Sequence, residues 1–263
     1  MRIATWNING TKARIEGLQT WLKETQADVV CLQEIKCVDE AFPADIFQDL
    51  GYNVVVHGQK GFNGVAILSK RPLDTASRGL PGDARDVQAR YLEAIVPAGE
   101  GSIRVASIYL PNGNPVGSDK FGYKLAWMER LRAHVRTLLQ TEEMLVLAGD
   151  YNVIPEPVDA RNPEAWRNDA LFQPESRAAY RTLLGLGLTD AIRAVEPNPG
   201  VYTFWDYQAG SWQKNNGIRI DHLLLSPQAA DRLTSAGVDR FTRAWEKPSD
   251  HVPAWIEIDS RTR

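Results

Sequence analysis

With 263 residues, 43% of them hydrophobic and 24% charged, the chain has the make-up of a folded globular protein, near the upper length that one core holds. A net charge of −3 and a pI near 5.9 argue against a nonspecific DNA coater, which is basic overall, yet permit a local basic face beside clustered carboxylates. The opening MRIATWNING lacks a signal peptide's apolar stretch, and no apolar run nears the ~18 residues of a membrane span, so a soluble, cytoplasmic protein with no membrane partner is expected.

Residues 3–7 read as a short strand and 14–25 as a helix with Ile15, Leu18, Trp21 and Leu22 on one face. Residues 29–33 form a buried strand, and 54–57 and 65–69 a strand pair around the Gly-rich turn 58–64. Two more strands, 91–96 and 103–110, are joined by 97–101. Ser118 reads as the N-cap of a long helix over 119–140, where Leu125, Met128, Leu131, Val135 and Leu138 keep helical spacing. A strand at 144–148 ends in Gly149-Asp150. The proline-rich stretch 151–175 is a long loop, a helix lies near 176–186, and a second irregular stretch covers 196–217. Strands at 220–226, 236–239 and 254–258 close the chain.

No linker divides the sequence, so one domain over 1–263 is expected, with a monomer as the default. A strand–helix–strand pattern occurs at 3–34 and again at 103–150, with polar residues gathered at the strand ends both times. Cys31 sits in the apolar run VVCLQ as a small core residue. Its spacing to Cys37 fits no common zinc pattern.

The strand-end residues form an unusual set: Asn7, Asn9, Glu34, Tyr109, Asn112, Asp150, Asn152, Asp221 and the run Ser249-Asp250-His251. Any one alone reads most simply as a turn residue bonding its own backbone. Together they match the needs of phosphodiester hydrolysis. A hard divalent ion takes oxygen ligands, and Glu34 and Asp250 suit it. Asp150 suits the attacking water's proton, with the Asn152 amide fixing that water. Asn7, Tyr109, Asn112 and His251 are donors for the charge that develops on phosphorus oxygens, and Asp221 orients His251. The residues leave Asp150 and His251 as rival proton acceptors. His222 follows Asp221 along a strand, so its side chain points to the other face and stays outside the site.

Eight stretches in order resemble the exonuclease III family of abasic-site endonucleases within the DNase I-like superfamily. They are ATWNING at 4–10, LQEIK at 32–36, FNGVAILSK at 62–70, YLPNG at 109–113, LAGDYNVIP at 147–155, YTFWDY at 202–207, RIDHLLLS at 219–226 and PSDHVP at 248–253. The resemblance implies a four-layer α/β sandwich, two mixed β-sheets face to face with helices outside. It implies a DNA repair nuclease cutting 5′ to abasic sites in duplex DNA, with 3′-exonuclease and 3′-phosphatase activities and Mg²⁺ or Mn²⁺ as cofactor. By position, Glu34 is the main metal ligand, with Asn7, Asn9 and Asp250 around it. Asp150 and Asn152 handle water, Tyr109, Asn112 and His251 meet the phosphate, and Asp221 partners His251. Asn9 stands where some relatives carry Asp. Ile218 precedes Arg219 where some carry a bulky aromatic, so the abasic pocket is expected to rely on Phe204, Trp205 and Ile220.

Basic residues expected to grip DNA are Lys36, Lys60, Lys70, Lys120, Arg161, Arg167, Lys214 and Arg219, with Trp166 and Trp212 as further contacts. His57 and His134 have no evident partners, and His134 reads as a surface residue. Two other readings remain open at this stage. One is a related phosphodiesterase or phosphatase acting on inositol phosphates, sphingomyelin or nonspecific nucleic acid. The other is a silent binding module, disfavoured because the polar set is complete.

Overall fold

The period-two alternation of the strands sorts their side chains into three apolar layers, and the architecture follows from that sorting. The computed structural model describes residues 1–260. In chain order the elements are β1 (Arg2–Asn7), α1 (Thr11–Thr25), β2 (Val29–Gln33), α2 (Ala44–Gln48), β3 (Asn53–His57), β4 (Val65–Ser69), β5 (Asp74–Arg78), β6 (Tyr91–Ala98) and β7 (Gly101–Tyr109). Then come α3 (Asp119–Leu139), β8 (Met144–Asp150), α4 (Pro174–Leu184), β9 (Thr189–Asp190), α5 (Ala191–Val195), β10 (Asp221–Leu225), α6 (Pro227–Ala230), β11 (Leu233–Val238) and β12 (Ala254–Ile258).

Two mixed six-stranded sheets result, ordered β11-β12-β1-β2-β4-β3 and β5-β6-β7-β8-β10-β9. Each has one parallel pair near its centre, β1 with β2 and β7 with β8. Crossing between parallel strands takes a helix, and α1 and α3 supply it. The repeated strand–helix–strand pattern of the sequence is therefore this pair of crossovers. Ile3, Val29, Val105, Val146, Leu223 and Ile256 fill the space between the sheets. The opposite faces bury Trp21 and Leu18 of α1 on one side and Trp127 and Leu131 of α3 on the other. This is the expected four-layer sandwich.

Some boundaries moved. The first helix begins at Thr11, where Gly10 at φ 97 turns the chain out of β1. Ser118 occupies the N-cap position of α3, but its hydroxyl donates to the Pro115 carbonyl at 2.7 Å instead of capping. The strand expected at 236–239 starts at Leu233 and carries an irregularity between Leu233 and Ser235. The edge strand β5 has no signature in the sequence, because its DTASR is largely exposed and polar, with no apolar alternation to mark it. The stretch 151–175 contains two short 3₁₀ turns, Pro157–Asp159 and Pro163–Trp166. Among the described residues no helix is long and apolar enough to cross a membrane.

Candidate active site

The inward-facing positions of five strands change from apolar to polar at the same end of the sandwich. Ile3 and Thr5 lead to Asn7 in β1, Val29 and Cys31 to Gln33 in β2, and Val105 and Ser107 to Tyr109 in β7. Val146 and Ala148 lead to Asp150 in β8, while β10, running the other way, begins on Asp221. Register puts Asn7 opposite Gln33, and puts both Tyr109 and Asp221 opposite Asp150. A hydrogen-bond thread ties the sheets just beneath: the Gln33 amide donates to Ser107 Oγ at 3.0 Å, and Ser107 donates to the Leu32 carbonyl at 3.0 Å. The segment ahead of β12 brings in Asp250 and His251, held by Ser249, whose hydroxyl donates to the Asn7 carbonyl at 2.7 Å.

Three buried groups form the centre. His251 Nδ1 lies 2.8 Å from Asp221 Oδ2, and His251 Nε2 lies 3.8 Å from Asp150 Oδ2. Burial alone would push the imidazole pKa down, but Asp221 and Asp150 outweigh it and lift it to about 10, so His251 is a cationic donor. Burial, joined by the charge of Asp221, raises the Asp150 carboxyl to about 7 against the opposing pull of His251. Asp150 is also oriented, accepting from Asn7 Nδ2 and from the Asn152 backbone, each at 2.9 Å. Burial and the neighbouring Glu34 and Asp150 press the Tyr109 phenol well above its ordinary pKa, which keeps it a donor.

Beside this centre lies a rim of oxygen atoms of the kind that could hold a cation. Glu34 accepts from Asn7 Nδ2 at 2.9 Å, and Asn9 Nδ2 donates to Asp250 Oδ1 at 3.0 Å. Between them sits the Lys36 ammonium, 3.0 Å from Glu34 Oε2 and donating to the Asn9 side-chain Oδ1. Burial raises the Glu34 pKa, but the Asn7 amide and Lys36 more than offset it and hold the carboxyl below its usual value. An ammonium already drawn to this spot, and ligands that are all hard oxygens, fit a divalent ion of the magnesium kind. Asp150, Asp221 and His251 also present ligand atoms within 4.8 Å of one another, and Asp221 Oδ1 is buried without a hydrogen-bond partner. His251 Nδ1 is already committed to Asp221, which leaves that trio the free Asp221 Oδ1, while the Glu34–Asp250 rim offers oxygens whose present partners are amides and the Lys36 ammonium. Glu34, Asn9 and Asn152 all hold positive φ, at 51°, 47° and 47°, which turns the chain sharply just past β1, β2 and β8.

The groups face a cavity of about 290 Å³ lined by Glu34, Tyr109, Asn112, Asp150, Asn152, Phe204, Ile220, Asp250 and His251. Phe204 stands edge-on to the His251 ring with centroids 5.0 Å apart. Trp166, Asp169, Leu171 and Asp206 complete the lining; sequence reading gave none but Trp166 a role, because their loops lack a period from which to read direction. A larger cavity of about 370 Å³, between the start of α1 and residues 242–249, contains none of the strand-end carboxylates.

Several expectations need correction. Arg219 is buried, and its guanidinium meets Asp159 at 2.7 Å and Asp190 at 2.8 Å, so it cannot contact substrate. Trp205 is fully buried against Tyr202, Trp212 and Val252, one step out of phase with Phe204, and does not line the cavity. Asn7 is also fully buried; it spaces the Glu34 and Asp150 carboxylates and turns its amide N–H groups, not its oxygen, toward them. Among the basic residues, Lys36 belongs to the ligand rim. Lys70 bonds Gln26 at the end of α1, by the start of β2, far from the strand ends that make the site. Lys60, Lys120, Arg161, Arg167 and Lys214 are exposed. His134 is no free surface residue, because its Nε2 lies 2.8 Å from Glu93. His222 does point away from the site, with Nδ1 near Arg219 and Nε2 bonded to the Val153 carbonyl.

A two-sheet sandwich whose rim combines a carboxylate–imidazole relay with hard-oxygen cation ligands is a hydrolase architecture suited to phosphoesters. The chain belongs to the Endonuclease/Exonuclease/phosphatase family, whose pattern matches residues 4–251. It is 36% identical over 266 residues to exodeoxyribonuclease III of Haemophilus influenzae, covering 98% of this chain and 100% of the relative. An AP endonuclease from Archaeoglobus fulgidus superposes with a TM-score of 0.93 at 38% identity, over 98% of this chain and 99% of the other. A 3′ phosphatase from Neisseria, solved bound to a product DNA hairpin, superposes with a TM-score of 0.94 at 39% identity, over 98% and 99%. The exonuclease III resemblance and the fold read from the motifs are borne out.

Proposed function

We propose that this chain is a DNA repair nuclease that hydrolyses the phosphodiester 5′ to abasic sites in duplex DNA, uses magnesium, and also acts on 3′ ends as exonuclease and phosphatase. The observation that carries the reading is the Asp221–His251–Asp150 arrangement facing a cavity walled by Phe204 and Ile220. Asp150, lifted by burial, accepts the proton of the attacking water while the Asn152 amide fixes its approach. Cationic His251, protonated Tyr109 and the exposed Asn112 amide donate to the phosphate oxygens as charge builds on them. Glu34 and Asp250, with Asn9, would hold the metal, which when bound neutralises charge on the phosphate and the leaving oxygen. Phe204 and Ile220 form an apolar wall that suits an extruded sugar without its base. A cytoplasmic monomer belongs to the same proposal.

The test is a labelled duplex carrying one abasic analogue, incubated with Mg²⁺, with chelator, and beside an intact duplex and inositol phosphates. Cleavage at the analogue, abolished by chelator and far slower on the other substrates, is expected. An uncut abasic duplex in the presence of Mg²⁺ refutes the reading.

A further inference from the structure

Lys124 lies early in α3, fully buried. Burying an ammonium is strongly unfavourable unless its partners compensate it. Desolvation drags its pKa down to about 7, with Asp150 and Asp169 pulling the other way. Packing gives no reason for the charge, since a Met or Leu would fill the same space. The ammonium instead meets two backbone carbonyls, that of Asn112 at 3.0 Å and that of Asn152 at 2.5 Å. Those asparagines follow β7 and β8, the two parallel strands that α3 itself connects. The crossover helix thus reaches back to the ends of both strands it joins.

The fit at this contact is close. A Cβ on Gly113, which holds φ +90°, would lie 2.6 Å from Lys124 Cδ. Asn152, in the left-handed region, donates its side-chain amide to the Leu110 carbonyl at 2.9 Å and accepts from Asn112 Nδ2 at 3.3 Å. Turning either carbonyl off the lysine turns an amide that edges the cavity.

We propose that Lys124 is a positioning residue that sets the Asn112 and Asn152 amides at the reacting phosphate; this rests on the nuclease reading above. The test is a double-mutant cycle of K124M and N152A on the abasic duplex, run well below every variant's melting temperature. K124M lowers kcat by roughly 10- to 100-fold with KM little changed, as a displacement of about 1 Å in a catalytic amide does. That loss shrinks several-fold in the N152A background. Losses that multiply in full, or a kcat for folded K124M within about threefold of the parent, overturn the proposal. If K124M does not fold, the cycle is run with K124R, whose larger forked head does not fit between the two carbonyls, with the same coupling expected. A crystal structure of the variant gives a readout independent of turnover: Asn112 and Asn152 displaced with Asp150 in place is the expected result, and unmoved asparagines contradict it. A parent that leaves the abasic duplex uncut fails the nuclease reading, and the crystallographic arm still decides the role of Lys124.

Discussion

Two buried clusters that each set a pair of aspartates against cationic side chains lie on opposite faces of the second sheet, and they are balanced differently. On the outer face, Arg219 pairs with Asp159 and Asp190, and Arg193 also bonds Asp159. Burial presses both carboxyls upward, yet Arg219 outweighs it and holds both below the usual carboxylate range. On the inner face, Asp150 and Asp221 share one imidazole, Asp150 is driven up, and one Asp221 oxygen has no hydrogen-bond partner. The compensated cluster fastens the loop of Asp159 and the start of α5 to the chain entering β10. The under-compensated one keeps a basic carboxylate and a charged donor ready for a substrate. The degree of compensation, two guanidiniums for one pair of aspartates and a single imidazole for the other, separates the two clusters.

The sharpest break in this contrast is at Asp150. D150N and E34Q each reduce cleavage of abasic duplex at least ~100-fold while melting within a few degrees of the parent, which turnover and thermal melting together check. The outer cluster gives the reverse. R219M leaves Asp190 without its guanidinium and Asp159 with Arg193 alone, and destabilises by about 3 kcal/mol in chemical denaturation, with turnover per folded molecule within a few-fold of the parent.

His222 sharpens the contrast further. Burial, reinforced by Arg219, lowers its pKa to about 4. The folded protein therefore binds that proton less readily than the unfolded chain. Its contribution to stability is complete above about pH 6.5 and is withdrawn as pH falls toward 4, on the order of 3 kcal/mol. Denaturation curves across that window should show this slope in the parent and a shallower one in H222Q. The smallest effect is expected at the wall of the cavity: F204A reduces the preference for abasic over intact duplex by roughly tenfold, measured as a ratio of kcat/KM values.

Much of this contrast was legible in the sequence. Asn7, Tyr109, Asp150 and Asp221 each continue an apolar alternation by one inward step, so strand pattern alone directs them to one rim. His222 was kept out of the site by the same rule. The rule failed where no strand sets the phase. Arg219 and Trp205 neighbour true lining residues in sequence, but each lies one step off, and only the folded path of 203–220 shows which side faces the cavity. Lys36 reads as a free basic residue until positive φ at Glu34 and Lys36 folds its ammonium back onto Glu34 and Asn9. Lys124 shares the buried face of α3 with Trp127, Met128 and Leu131 by helical spacing, but a lysine there reads as an exposed residue at the edge of that face until packing under the strand ends is seen to bury it.

The measurement that most directly tests the contrast is turnover and melting temperature for D221N beside D159N. D221N should melt close to the parent and cut abasic duplex about 100-fold or more slowly, because His251 loses the carboxylate that charges and orients it. D159N should melt markedly lower and, while folded, cut at nearly the parental rate. A D159N protein that is stable but inactive, or a D221N protein that is unstable but fully active when folded, would contradict the account.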